Sequence, residues 1–444
     1  MRRRIFAMVW PATIENVLQM SVGMVSSAML GQVGALAVGA VGLGRRITML
    51  IWGIFAAIGT GTTVMVARSV GARNREAAGR YGEQAFVLTM GLVMTLSVIL
   101  FTFARPVLIA LYHTSGDLLV TATNYLRIVV WGIPFMAVMQ VTGATMRGAG
   151  NTKVPMQVAM VINLINVALS YSMIFGHFGF PAMGVKGAAW AQVIAQAAGA
   201  FLALYIMLYR QEDLQFRLRG IRLRWQEVRT VLGIGVPTAG ENLFMQFGQI
   251  MLTSLVVSFG EIPLAAHQQG MSAESISYMP AVGFATAATA FVGQSMGAGS
   301  VQQAERYVRE LTKWSIIMTT VTASFLTFTP KLVFGLLSNQ AEVINLGATY
   351  LILMGIAQIP QQLSGVLNGA LRGAGDTKAP MVIGAFGLWC VRLPLSYYFS
   401  RNLGGGIVGV WIAMTIDLFV RFALSFTRYR MGRWKGKAQA ELAS

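Results

Sequence analysis

The stretch Met146–Met156, MRGAGNTKVPM, recurs as LRGAGDTKAPM at Leu371–Met381, with eight of eleven positions identical at an offset of 225 residues. Other pairs lie at nearly the same offset. WPATIEN at Trp10–Asn16 answers VPTAGEN at Val236–Asn242, and ARSVGA at Ala67–Ala72 answers GQSMGA at Gly293–Ala298. NVALSY at Asn166–Tyr171 answers RLPLSY at Arg392–Tyr397. Matches in one order and nearly one register mean a duplicated chain. A period this long gives two like lobes, since solenoid repeats run about 20–50 residues.

Composition says what the lobes are made of. Charged residues are 11% of the chain, hydrophobic ones 55%, and the mean hydropathy is +0.62. A soluble protein carries about 25% charged residues. The net charge of +18 is spread from loop to loop, not gathered into one patch, which argues against a nucleic-acid surface. The single cysteine, Cys390, lies in an apolar run, so neither a disulfide framework nor a thiolate metal site is expected. The start, MRRRIFAMVW, resembles a signal peptide, but its apolar stretch runs on past Leu30 and reads as a retained first helix.

An all-α integral membrane protein of twelve spans follows. A bilayer core of about 30 Å takes about 20 apolar residues at about 1.5 Å each. The spans run Ile5–Leu30, Thr48–Val66, Ala85–Phe103, Leu119–Thr145, Val154–Phe175 and Gly184–Tyr209 in the first lobe. In the second they run Val231–Phe259, Ala265–Val292, Trp314–Leu336, Ile344–Ala370, Ala379–Phe399 and Gly406–Thr427. The expected organisation is a lobe over 1–209, a basic linker over 210–230, a second lobe over 231–428 and a basic tail over 429–444. Assigned by parity, 25 of the 34 Arg and Lys residues fall on the side of the N-terminus, linker and tail. That side is the cytoplasm by the positive-inside rule. Six helices per lobe make the repeats parallel, related by an axis along the membrane normal.

The repeated block then forms a cytoplasmic turn after the fourth helix of each lobe. Gly148, Gly150, Gly373 and Gly375 are expected to supply backbone conformations closed to other residues. Pro155 and Pro380 suit the first turn of the following helix. Asn151 and Asp376 read as caps, with Arg147, Lys153, Arg372 and Lys378 holding the turn at the membrane face. The block lacks the GxxxxGK[ST] spacing of a phosphate cradle.

With VGQSMGAG at Val292–Gly299 and PLAAHQ at Pro263–Gln268, these features resemble the multidrug and toxic compound extrusion (MATE) transporters over the whole chain. The chain is more similar to the prokaryotic DinF-like and related branches than to NorM. The resemblance implies an inner-membrane exporter of organic compounds, driven by proton or sodium antiport. It also implies two six-helix lobes around a central cleft open alternately to either side. The chain departs from the family in its acids. Ser26 stands where DinF-like members place a first-helix aspartate, and Gln361 where NorM-like members place one in the tenth helix. The family's helix-seven glutamate lies deeper than Glu241.

Four carboxylates fall well inside helices: Glu15, Glu241, Glu274 and Asp417. Glu15 and Glu241 each sit about ten residues, or roughly 15 Å, into their helix, which places them near the midplane. An ionised group there costs at least about 2.5–3.5 kcal/mol and needs a watery cavity, a partner or a proton. Each of the two acids follows a proline and precedes an asparagine, Asn16 and Asn242, so fixing a bend competes with ion coupling as a role. Glu274 has no acidic counterpart, since Thr48 takes the matching place, and reads as a coupling or cation-binding group. Asp417 stands one turn before Arg421, with Arg392 as a second partner, a pattern more often structural.

Amides and hydroxyls line up beside these acids. Glu15, Gln19 and Ser26 share one face of the first helix; Asn242, Gln246, Gln249 and Thr253 share one of the seventh. Asn163, Asn166, Gln192, Gln196, Gln358, Gln361 and Gln362 add amides from other helices. Single amides read as helix–helix glue, worth about 0.6–2 kcal/mol, and the two stripes as a polar-lined cleft.

The expected cargo is a small cationic or zwitterionic compound. The 27 methionines and the aromatics offer a plastic surface, although membrane packing accounts for most of them. An anionic cargo such as a flavin nucleotide would instead call on Arg45, Arg46 and Arg392. A lipid-linked oligosaccharide flippase is a further alternative. An enzyme is not expected: the three histidines, His113, His177 and His267, are scattered at helix ends and no DxxxD motif appears. A channel would not suit a duplicated cleft. A monomer in membrane lipid, with neither cofactor nor resident metal and with H+ or Na+ as coupling ion, completes the expectation.

Overall fold

The computed structural model describes residues 1–112, 115–209, 214–216 and 223–436. His113, linker residues 210–213 and 217–222, and the tail from residue 437 lie outside the described residues. Among the described residues there is no β-strand.

The helices are α1 (Arg2–Val33), α2 (Ala35–Gly71), α3 (Arg75–Tyr112), α4 (Gly116–Val129), α5 (Ile133–Gly148), α6 (Lys153–Phe175) and α7 (Val185–Tyr209). They continue as α8 (Trp225–Val257), α9 (Glu261–Gly297), α10 (Val301–Phe328), α11 (Pro330–Gly335), α12 (Ala341–Gly373), α13 (Lys378–Phe386), α14 (Leu393–Tyr397) and α15 (Gly406–Arg430). Eight spans among the described residues are long and apolar enough to cross a bilayer unaided, and α4 with α5, bent by 48°, makes a ninth. The helices α1, α8 and α10 supply the other three by length, their polar residues holding down the apolar average.

Several spans depart from simple rods. Three helices, α2, α3 and α10, begin well before the expected boundaries, because residues flanking the apolar runs favour helix too. Arg45 and Arg46 therefore lie inside α2, and Arg306, Arg309 and Lys313 inside α10, not in loops. Phe103 leaves helical geometry (φ −101°, ψ 17°) three residues before Pro106, whose ring displaces the preceding turn. The ninth span breaks at Thr329, ahead of Pro330. The eleventh widens into π-helical turns at Gly387–Arg392 and Tyr398–Asn402, either side of α14, which contains Pro394.

The helices form two compact units, one of residues 14–235 and one of residues 1–13 with 236–444. The division falls inside α1 and α8, close to Pro11 and Pro237, and not in the linker. Accordingly Ile5, Met8 and Val9 pack with Phe284 and Phe291 in the second unit, while Val231 and Ile234 pack with Ile58 and Val141 in the first. The linker is docked as well: Leu214 and Phe216 are buried in the first unit, and the amide of Arg224 donates to Gln84.

Both copies of the repeated turn close alike. The amides of Asn151 and Asp376 bond back to the carbonyls of Met146 and Leu371, around left-handed Gly150 (φ 86°) and Gly375 (φ 82°). This satisfies carbonyls that the helix end would otherwise strand. Gly148 and Gly373 need a different explanation from the expected one. Both are helical, and a Cβ on either would strike the backbone carbonyl of Thr63 or Thr289 on the neighbouring helix. The hydroxyls of those threonines donate to Ala144 and Gly369, both at 3.0 Å. Small residues and a hydroxyl thus bring α5 against α2 and α12 against α9, the packing that suits helices without a hydrophobic drive between them.

Candidate functional site

In the second unit, Glu274 of α9 faces α12. The Tyr350 hydroxyl donates to one carboxyl oxygen at 2.7 Å and the Gln358 amide to the other at 2.9 Å. Gln361 approaches the same carboxyl. No Lys, Arg or His among the described residues lies within ion-pair distance of Glu274. Tyr350 is itself fixed. Its ring lies on Gly270, where a Cβ would collide with it, and packs edge-on against Trp411 and His267. His267 is not at a helix end but fully buried, its Nδ1 accepting from the Trp411 indole at 3.2 Å.

The other three acids are each held by arginine. Asp417 is fully buried; Arg392 Nε donates to one oxygen at 2.7 Å and Arg421 Nε to the other at 2.8 Å. Gly387 leaves the room this cluster needs, since a Cβ there would meet both Asp417 and Arg421. Glu241 takes Arg372 Nη2 at 2.7 and 2.8 Å, and in the first unit Glu15 takes Arg147 Nη1 at 3.1 Å. Arg147 and Arg372, expected to hold the turn at the membrane face, therefore fold back onto the acids. That geometry puts Glu15 and Glu241 within one arginine side chain of the repeated turn. The Asp376 carboxylate, expected to cap, accepts Arg428 Nε at 2.9 Å and Nη2 at 2.7 Å.

The amides divide by unit. In the first, Ser26 donates to Asn166 at 3.4 Å, Gln19 donates to Glu15 at 3.4 Å and Tyr125 donates to Gln192 at 3.1 Å. Asn163 donates to its own helix, at the Ala159 carbonyl. Gln196 lies over Gly132, where α4 gives way to α5. Asn16 is half-buried beside Glu15, and Arg45 lays its guanidinium on Gly23 of α1. In the second unit Asn242 is half-buried and Gln246 exposed, while Gln249 reaches Met271 Sδ at 3.9 Å. Gln361 Oε1 and both side-chain polar atoms of Gln362 are buried with no hydrogen-bond partner among the described residues. That is unusual for buried amides and fits a polar-lined surface around Glu274.

The MatE family model matches the chain twice, over residues 11–172 and again over 237–398. The chain belongs to the MATE family.

The MATE chain is 31% identical over 440 residues to a probable multidrug resistance protein NorM of Thermotoga maritima, covering 98% of this chain and 94% of that one. It is 28% identical to an uncharacterized transporter, YisQ, of Bacillus subtilis, covering 98% and 96%. Among solved structures, an outward-facing multidrug resistance MATE transporter superposes with a TM-score of 0.91 at 20% identity, covering 98% and 96%. A transporter of the wider superfamily from Pyrococcus furiosus does so at 0.90 and 21%. These likenesses do not separate the DinF-like from the NorM branch. The two residues that the resemblance sets at the family's acidic positions are both placed by polar contacts. Ser26 is bonded to Asn166, and Gln361 stands beside Glu274 of α9.

Tyr350 was not singled out from the sequence, and Arg147 and Arg372 were read as turn residues and not as partners of the acids. The repeat carries the signal for all three: Arg147 answers Arg372, and Tyr125 on Gly44 answers Tyr350 on Gly270.

Proposed function

We propose that this MATE protein is a secondary active antiporter exporting organic cations or zwitterions in exchange for protons or sodium by alternating access. It acts as a monomer in the bacterial or archaeal cytoplasmic membrane, with both termini and the linker in the cytoplasm. Family membership and the transporters named among its relatives support export, and the distribution of Arg and Lys supports the orientation.

One observation carries the mechanism. Of the four acids inside the spans, Glu274 alone is held by neutral donors, Tyr350 and Gln358, and not by arginine. A carboxylate clamped by a guanidinium must break an ion pair before it binds anything else. One held by a hydroxyl and an amide can exchange a proton, a sodium ion or a cationic cargo directly. Facing outward, Glu274 takes a proton or sodium, and the organic cation leaves as its counter-charge is lost. Facing inward, it releases that ion to the cytoplasm and receives the next cargo cation. Binding of the two is mutually exclusive, which is what coupling requires. Glu274 also lies where Gln361 replaces the acid of NorM-like relatives, so an acid from α9 serves in place of one from α12.

A second reading, an anionic cargo, rests on Arg45, which lies on Gly23 with no acid paired to it among the described residues. Neutralising Glu274 separates the two: it abolishes gradient-driven efflux of a cation in the first reading and leaves export of an anion intact in the second.

A further inference from the structure

A pocket of about 540 Å³ opens in the second unit between the first turns of α10, the C-terminal third of α12 and the last turns of α15. Its lining includes neither Glu274 nor the side chains that hold it, and it sits where α15 finishes. Its walls are of two kinds. Leu363, Phe422 and Phe426 line the apolar side, while Arg309, Arg430 and Lys435 supply the charge.

The wall is built and not incidental. Trp434, fully buried, stacks on Tyr429 with ring centroids 5.3 Å apart and donates its indole N–H to the Tyr429 carbonyl. This pins the short helical turn after α15 and with it Lys435. The one acid of the pocket, Glu305, is neutralised by Lys435 at 2.5 Å. Arg430 rests over the Phe426 ring at 5.3 Å, and neither it nor Arg309 is paired with an acid among the described residues. Along α10, Arg306, Arg309 and Lys313 recur at helical spacing, so the positive charge continues beyond the pocket along one face.

We propose that this pocket binds the phosphate headgroup of an anionic phospholipid. A guanidinium pair of Arg309 and Arg430 suits a phosphate oxygen set, and the charge balance after the Lys435–Glu305 pair is positive. A free phosphate would need only those cations. The adjoining apolar wall of Leu363, Phe422 and Phe426 is wasted on it, but accommodates the start of an acyl chain. Basic and aromatic side chains mark the boundary between hydrocarbon and water, where α10 begins and α15 ends. Placing this end in the cytoplasm, facing the anionic leaflet, rests on the orientation proposed above; the ligand chemistry does not.

The test is the melting temperature of the detergent-solubilised full-length protein, titrated separately with phosphatidylglycerol, phosphatidylcholine and inorganic phosphate. Phosphatidylglycerol is expected to raise it by a few degrees and the other two to leave it unchanged. The R309Q/R430Q variant loses that shift, the R309K/R430K variant keeps it, and both retain cation efflux. An equal shift with phosphatidylcholine, or an undiminished shift in R309Q/R430Q, overturns the site. An equal shift with inorganic phosphate overturns the lipid as its ligand.

Discussion

Arg372, in the last turn of α12, places its Nη2 2.7 and 2.8 Å from the two carboxyl oxygens of Glu241 on α8, and Arg147 donates through Nη1 to one oxygen of Glu15 at 3.1 Å. The pair is thus duplicated with the lobes. Each acid stands just beyond a proline and a few residues inside its unit, where a helix passes from one unit to the other. An ion pair there is expected to fix the helix to the unit it enters. E241Q and R372Q should each lower stability by about 1–3 kcal/mol, less than for a fully buried pair because both side chains remain partly exposed. Thermal denaturation of the single and double variants should show strong coupling between the two positions. Efflux per folded molecule should stay close to wild type.

Asp417 is the more severe case. It is enclosed by Arg392 and Arg421, so D417N leaves two buried guanidinium groups without the carboxylate they share. A loss of about 3–5 kcal/mol is expected, seen as aggregation on size-exclusion chromatography or a large fall in melting temperature.

Gly270 tests the positioning of Tyr350. A methyl group at that position meets the Tyr350 ring, so G270A should turn the ring and carry its hydroxyl away from Glu274. The overpacking costs about 1–3 kcal/mol, and efflux should fall more than stability alone explains. G44A, against Tyr125 in the first unit, should cost stability without the same loss of coupling.

Arg73 offers a gain. It holds a left-handed backbone (φ 57°) at the end of α2, where the second unit has Gly299 (φ 71°) in the same turn. R73G should stabilise the protein by about 1 kcal/mol, measured as a higher melting temperature with unchanged efflux.

The duplication and the twelve spans were legible because periodicity and apolar runs are properties of the chain alone; the family was legible only through its resemblance in short motifs such as VGQSMGAG and PLAAHQ. The candidate acids were legible for the same reason: a carboxylate inside an apolar run is conspicuous. Their partners were not. Arg372 reads as a loop residue beside Lys378, and only folding turns it back onto Glu241, 131 positions earlier in the chain. Glu274 looked less distinctive than the symmetric pair because no second acid repeats it. Its selection depends on Tyr350 and Gln358, which meet it only when α12 packs on α9. Helix starts were misplaced wherever a helix continues past its apolar run, as at Arg45 and Arg309. The swap of residues 1–13 and 225–235 between units has no local signature beyond Pro11 and Pro237.

In the mechanism proposed above, Glu274 couples cargo to the driving ion. The decisive measurement is ethidium efflux from proteoliposomes holding wild type, E274D or E274Q, with a pH gradient and a sodium gradient imposed separately. Wild type should move ethidium uphill under one gradient, E274D should retain part of that response, and E274Q should show none while melting at a similar temperature. Undiminished uphill efflux in folded E274Q would contradict the account.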